Sequence, residues 1–383
     1  MNVKEILAQI PESLLDELSA KSKTDKYAKK LKGSIVFKLL VHCILTHKDN
    51  SLRRMSSSFE NIFFSYLNGE SKSISYSSIS ERLSTMNPDF FKAVYENCLE
   101  VFCKTLDVQN TPIKYDSTIV SLSSKLLFNG YNLKGGDASK LNLIKYTIGL
   151  TEFPVVANIY TEQSYNSENK ALGNTVKEDL KNKELVKVFD RGITSREIYD
   201  EMIEKKMLFV SRVNTGCKHK VVIENRLSEK IAHKKLIIYS DETVYLYSQY
   251  HRSKHSLRLI KTIKKEDDEE VWFITSIEDA SPEDITDIYK KRWEIEVFFK
   301  FLKQELNFSH FLNRSKNGIT IILYCTLIAS ILLLVYKTRN NIKGYKIMKQ
   351  RFLQELEYDL IKEIIILSGG DIEKIKFLEP KPK

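Results

Sequence analysis

The chain has 383 residues, 42% of them hydrophobic and 29% charged, enough apolar content to build packed cores and too much for a disordered chain. Only 13 glycines and 7 prolines exclude a collagen-like or linker-rich protein, and the absence of a repeat of 20 to 50 residues excludes a solenoid or propeller. Five scattered cysteines without a C-x-x-C argue against a disulfide framework or zinc knuckle and fit a reducing, cytoplasmic setting, while 60 Lys+Arg against 50 Asp+Glu give a net charge of +10.

Residues 1 to about 110 read as helical. The amino-terminal MNVKEILAQIPESLLDEL has acids within its apolar stretch and no small-residue cleavage site, as an amphipathic helix does and a signal peptide does not. Apolar positions recur at helical spacing in Leu31–Leu45 and Phe90–Leu106, and the serine-rich turn before Ser77–Met86 is compatible with a helix-turn-helix that binds DNA. Near Thr111 the texture changes. Strand-like runs at Ile113–Leu122, Leu143–Leu150 and Val155–Tyr160 precede a helical Glu168–Leu180, a short strand Leu185–Phe189, a helical Ser195–Lys205 and a strand Met207–Val213. That order is the one expected of a ribonuclease H-like core, an α/β layered architecture.

Short strands then recur at Lys220–Ile223, Leu236–Tyr239, Val244–Tyr250, Leu257–Ile263 and Val271–Ile277, a β-rich insertion over about 215–276. Lys205–Lys265 holds fifteen Lys/Arg and four Asp/Glu, a net of +11. One block with that excess is the electrostatic footprint of a polyanion, most simply nucleic acid. A long helix is expected from Ser281 towards Leu306, with Pro282 in its first turn and Glu283, Asp284 and Asp287 set against its dipole. The remainder is helical. It contains Ile319–Tyr336, eighteen residues without a charge, which read as a buried core helix at the lower length limit of a membrane span.

The chemistry is concentrated in YKKRWEIEVFFKFLK. Tyr289, Arg292, Glu296 and Lys303 follow a Y-(2)-R-(3)-E-(6)-K spacing. At about 100° per residue their azimuths on one continuous helix are roughly 0°, −60°, −20° and −40°, a single narrow stripe. A carboxylate flanked by a guanidinium, an ammonium and a phenol is costly to bury without a role, although a salt-bridged surface helix has the same spacing. Asp116 lies mid-strand in KYDST, where aspartate is disfavoured. Asp190 ends an apolar strand in FDRG, and ligands of open α/β sheets bind at such strand ends. In a ribonuclease H-like order these two strands are neighbours, so Asp116 and Asp190 meet, and a hard divalent cation is the usual means of neutralising facing carboxylates. The seven histidines have no ligand spacing with cysteines, and Gly135–Gly136 lies in neither a Walker nor a Rossmann pattern. Lys134, Lys140 and Lys145 fit either a DNA channel or a solvated loop.

On these residues the chain resembles the DDE transposases: Asp116 in YDST, Asp190 in FDRG and Glu296 resemble their acidic triad, and the tyrosine–arginine–glutamate–lysine spacing resembles the insertion-sequence family 4 branch. The resemblance spans about Lys114 to Asn317 and implies a ribonuclease H-like catalytic domain at 111–318, between a helical DNA-binding region at 1–110 and a helical region at 319–383. It implies metal-dependent strand cleavage at transposon ends followed by strand transfer into target DNA, by cut and paste. Asp116, Asp190 and Glu296 are then the catalytic ligands of two Mg²⁺ ions, with Mn²⁺ able to substitute, while Tyr289, Arg292 and Lys303 contact DNA phosphates. The implied partners are double-stranded DNA, as terminal inverted repeats and target, and a second copy of the chain on that DNA. No membrane is implied, and the expected location is cytoplasmic and nucleoid-associated. In some members a base is flipped out near the cut; Trp272 and Trp293 are aromatics of the right kind, with packing as the expected fate of both. The alternative is a DNA-binding protein that keeps the fold without the chemistry.

Overall fold

In the computed structural model the described residues are all except 27, 48–50, 62–63, 65–72, 107–110, 123–141, 226, 228, 248–251, 309–312, 314 and 380–383. The chain forms two compact units. One combines Met1–Asp107 with Lys300–Lys383, and the other is the continuous stretch Val108–Phe299.

The continuous unit is mixed α/β, built on a ten-stranded sheet. Its strands are β1 (Ile113–Leu122), β2 (Asn142–Leu150), β3 (Pro154–Tyr160), β4 (Lys187–Phe189), β5 (Phe209–Val213), β6 (His219–Glu224), β7 (Ile231–His233), β8 (Leu236–Leu246), β9 (Leu257–Lys264) and β10 (Glu270–Thr275). The sheet order is β3-β2-β1-β4-β5-β10-β9-β8-β6, with β7 also on β8. β1 to β3 form an antiparallel meander, and β4 and β5 run parallel to β1. Crossover helices follow the short β-branched runs, as parallel neighbours require: among the described residues Glu168–Glu178 and Arg196–Glu204 lie before β4 and β5. One core joins Ile113 and Tyr115 of β1 to Leu172, Val176, Phe189, Tyr199 and Phe209, all buried.

Two expectations need correction. Leu236–Tyr239 and Val244–Tyr250 were separate strands on the sequence reading, yet one strand, β8, runs from Leu236 to Leu246. Its polar centre is paired: Arg258 donates to both Asp241 oxygens at 2.9 and 2.7 Å, and Lys261 bonds Glu242 at 2.9 Å. The expected single helix from Ser281 to Leu306 is two helices, Pro282–Lys290 and Trp293–Glu305. At the junction Arg292 N bonds Tyr289 O and Ile295 N bonds Arg292 O, three residues back instead of four, so the chain tightens there and the regular α-helix is interrupted. Tyr289 and Glu296 are therefore on different helices, and a continuous azimuth does not relate them.

The discontinuous unit is helical. We number its helices α1 (Val3–Leu7), α2 (Glu12–Lys21), α3 (Gly33–Thr46), α4 (Leu52–Phe59), α5 (Tyr76–Thr85) and α6 (Asp89–Leu106). The helices of the continuous unit are α7 (Glu168–Glu178), α8 (Arg196–Glu204) and α9 (Pro282–Lys290). α10 (Trp293–Glu305) crosses the division, and α11 (Lys316–Arg339) and α12 (Tyr345–Leu367) complete the helical unit. Every residue from Ile319 to Tyr336 except the half-buried Thr320 is buried. By length and composition α11 is able to cross a membrane, but 94% of its apolar window is inside this unit, where it packs against α3, α5, α6 and α12. An apolar helix without a polar face is what a bundle axis requires.

Candidate active site

The parallel pairing of Lys114 with Val188, extended by two residues, sets Asp116 of β1 opposite Asp190 just beyond β4. Asp116 Oδ1 accepts from the Ser117 amide at 2.8 Å. Its other oxygen is 3.7 Å from Nη1 of Arg292, and the Arg292 Nη2 donates to Glu296 Oε1. Tyr289 donates its hydroxyl to Asp190 Oδ1 at 3.0 Å, and its ring packs on Phe273 with centroids 5.0 Å apart. The Arg292 guanidinium lies 5.8 Å from the Tyr289 ring centroid. The two predicted aspartates, the glutamate, the tyrosine and the arginine are thus joined through Arg292 and Tyr289. Lys303 is exposed on the last turn of α10, within the stretch assigned to the helical unit.

The electrostatics follow from burial. Asp116 is pushed up to about 6, chiefly by desolvation; the Ser117 amide and Arg292 work against that rise, while Glu168 and Glu296 add to it. Tyr289 is raised by burial and by the charge of Asp190. Burial works against the charge on Arg292, but Tyr289, Glu296 and Asp190 outweigh it and hold the guanidinium protonated. Its Nε is buried and has no hydrogen-bond partner among the described residues. Among the described residues no three Asp, Glu, His or Cys side chains already form a metal cage. Arg292 supplies the positive charge between Asp116 and Glu296.

Supporting residues escaped the sequence reading. Lys114 is fully buried beside Asp116; its Nζ donates to the Thr151 carbonyl at 3.0 Å and pairs with Glu294 at 2.8 Å, tying β1 to α10. Glu168, the first residue of α7, bears on Asp116 electrostatically and lies so close to the FDRG turn that a Cβ on Gly192 would stand 2.6 Å from its Cγ. In sequence, Glu168 is indistinguishable from any acid placed against a helix dipole. Lys145 does not line a channel: it is buried, donating to the Asn166 carbonyl at 2.8 Å and pairing with Glu168 at 3.3 Å. Lys134, Lys140 and Gly135–Gly136 lie outside the described residues. Trp272 is packed as expected, bonded to Tyr239 at 3.2 Å, whereas Trp293 is 63% exposed.

The basic block also changes character in three dimensions. Directly after Lys265 come the five acids Glu266–Glu270, which bring the net charge of residues 205–270 to +6. Folding brings Glu266 to Lys235 at 2.7 Å and Glu269 to Lys264, while Asp287 takes Lys234 at 2.5 Å.

Against known families, residues 115–332, more than half of the chain, match the family described as Transposase DDE domain. The chain belongs to the DDE transposase family. A Synechocystis protein carrying the name of a transposase for insertion sequence element IS4SA is 25% identical over 320 residues, covering 81% of this DDE-family chain and 84% of the relative. A transposase by name for insertion sequence element IS5377 of Geobacillus stearothermophilus is 31% identical over 159 residues, and that match spans 41% of each protein. The family's matched region contains Asp116, Asp190 and Glu296 together with Tyr289, Arg292 and Lys303.

Proposed function

We propose that this chain is a cut-and-paste DNA transposase of the insertion-sequence family 4 type, in which Asp116, Asp190 and Glu296 form the catalytic triad. The carrying observation is the junction at Arg292, which ion-pairs with Asp116 and Glu296 while Tyr289, three residues earlier, holds Asp190. The strand order β3-β2-β1-β4-β5 with its parallel centre supports a ribonuclease H-like core.

The residues fit two divalent metal ions. Their donors are carboxylate oxygens, the hard ligands Mg²⁺ takes, and the half-buried Asp116 carries a charge that its surroundings compensate incompletely. When bound, the metals supply Lewis-acid stabilisation of the attacking and leaving oxygens and an activated water. The protein does the rest. Tyr289 fixes the Asp190 carboxylate, and Lys114 with Glu294 sets α10 against β1. Arg292, a planar fork suited to phosphate, leaves its carboxylates for the phosphate backbone as DNA and metal enter. Tyr289 and Lys303 meet phosphates at the element's ends, and the exposed Trp293 offers a face on which an unstacked base can rest. Residues 1–110 then bind the terminal repeats, and two copies of the chain hold two ends in the cytoplasm, at the nucleoid.

The test is a cleavage assay on labelled duplexes carrying the ends of the encoding element, with Mg²⁺ or EDTA. Wild type is expected to nick at a defined end only with metal, and Glu296→Ala to lose nicking while binding the same duplex. Parallel loss of binding and nicking in Glu296→Ala would sink the metal-ligand role. Binding by wild type without nicking in Mg²⁺ or Mn²⁺ would favour a catalytically silent DNA-binding protein.

A further inference from the structure

At the carboxyl ends of the parallel neighbours β4 and β5 lies a cavity of about 400 Å³. Its walls include Arg191, Thr194 and Arg196 from the turn after β4, and Asn214, Gly216 and Cys217 from the turn after β5. Arg196 is held in place rather than neutralised: Nη1 donates to the Thr194 carbonyl at 2.5 Å and Nη2 to the Tyr247 carbonyl at 3.2 Å. Its Nε is buried without a hydrogen-bond partner among the described residues. Arg196 is also the first residue of α8, whose N-cap Ser195 makes no side-chain capping bond, so the positive end of a nine-residue helix stands at the same wall.

The cradle is rigid. Asn169 Oδ1 accepts from the amides of Thr194 and Ser195 at 2.7 and 2.9 Å, and Tyr199 donates to the Ile193 carbonyl at 2.8 Å. Burial pushes the Cys217 thiol up, so this wall stays neutral and adds no opposing charge. Preorganised donors, two guanidiniums and a helix N-terminus select an anion.

We propose that this cavity binds a backbone phosphate of the DNA strand engaged at the acidic site, an assignment that rests on the transposase reading above. Arg191 directly follows Asp190, and Ser211 of β5 donates to the Asp190 carbonyl at 3.4 Å, so an anion seated here is next to the acid that β4 delivers. The exposed Lys218 and Lys220 continue the positive surface onto β6, which suits the successive phosphates of a polymer better than a single small anion.

Gly216 offers a test that leaves the arginines alone, because a Cβ placed there meets nothing within 4 Å. Full-length wild type, Gly216→Glu and Gly216→Gln are compared by fluorescence anisotropy on the terminal duplex without divalent metal, across a salt series. The Glu variant is expected to bind about tenfold more weakly than the Gln variant and to lose about 0.9 from the slope of log K against log salt per phosphate contact removed. Equal affinities and slopes for the Glu and Gln variants would overturn the assignment, whatever the nicking assay shows. A charge-specific loss in a chain that never nicks DNA would keep the phosphate pocket and discard the transposase chemistry. Thermal shifts with inorganic phosphate separate the sources: stabilisation of wild type but not of the Glu variant, with DNA binding alike in all three, would overturn DNA as the ligand.

Discussion

Asp116→Asn is expected to lower metal-dependent nicking by about a thousandfold or more, because metal stabilisation of the transition state is worth several kcal/mol and each 1.36 kcal/mol is a factor of ten. The same substitution is expected to stabilise the metal-free protein. Burial raises the Asp116 carboxyl from 3.8 to about 6. The folded value lies above the unfolded one, so the stability this group allows is complete below 3.8 and is lost as pH rises through about 6. At neutral pH the ionised side chain is therefore a liability on the order of 1–3 kcal/mol, which an asparagine of the same shape removes. Urea denaturation in EDTA at pH 7.5 and pH 5 checks it. The gain should be present at pH 7.5 and shrink at pH 5; a loss of stability at pH 7.5 would contradict the burial argument. A site that sacrifices stability for function is the expected signature of a catalytic position.

Asp179→Ala should act in the opposite sense, on the scaffold alone. Lys187 of β4 is fully buried, and its Nζ lies 3.1 Å from Asp179 Oδ2, 3.3 Å from the Tyr115 hydroxyl, and 3.2 and 3.3 Å from the Asp179 and Asn182 carbonyls. Tyr115 donates its hydroxyl to the same carboxylate. Desolvation lowers Lys187 and raises Tyr115, and Asp179 is what keeps the lysine charged. Removing Asp179 leaves an uncompensated buried charge, with an expected cost of about 3–5 kcal/mol in unfolding free energy. Asp179→Leu combined with Lys187→Met should recover most of that loss, since a well-packed apolar pair replaces such a bridge at little cost. A single-variant loss under about 1 kcal/mol would mean the pair is solvated in solution. Because Tyr115 precedes Asp116 and Lys187 precedes Asp190 by three residues, this network also fixes the two strands that carry the acids.

How much of this was legible follows from what local residues reveal. β1 to β5 and the two helices between them were readable with nearly their observed limits, because β-branched runs alternate with helical spacing and the turns have their usual punctuation. The helix break at Lys291–Arg292 was not. Lysine and arginine are good helix formers, and the tightening there accompanies a tertiary ion pair between Arg292 and Asp116 that no local pattern encodes. β8 divided in the sequence reading because Ser240, Asp241 and Glu242 oppose strand propensity; their partners Arg258 and Lys261 come from β9, a neighbour that pattern cannot assign. Nothing local marks Lys114, Lys145 and Lys187 as buried, because lysine is almost never fully buried without a partner, and the partners are set by the fold. The acids of the candidate site were legible for the converse reason: Asp116 breaks a local rule in the middle of a strand, and such violations mark functional positions.

The nested arrangement of the two units bears on how the chain is made. α3 and α6 bury their apolar faces against α11, which begins about 210 residues after α6 ends, a delay of roughly 10–40 s at ordinary rates of synthesis. Meanwhile Val108–Phe299 is complete, while the amino-terminal helices wait without the helix against which α3 and α6 pack. Among the described residues this late-arriving helix is also the one long and apolar enough to be mistaken for a membrane span. Shortening that interval is expected to do more for soluble yield than any change at Asp116, Asp190 or Glu296.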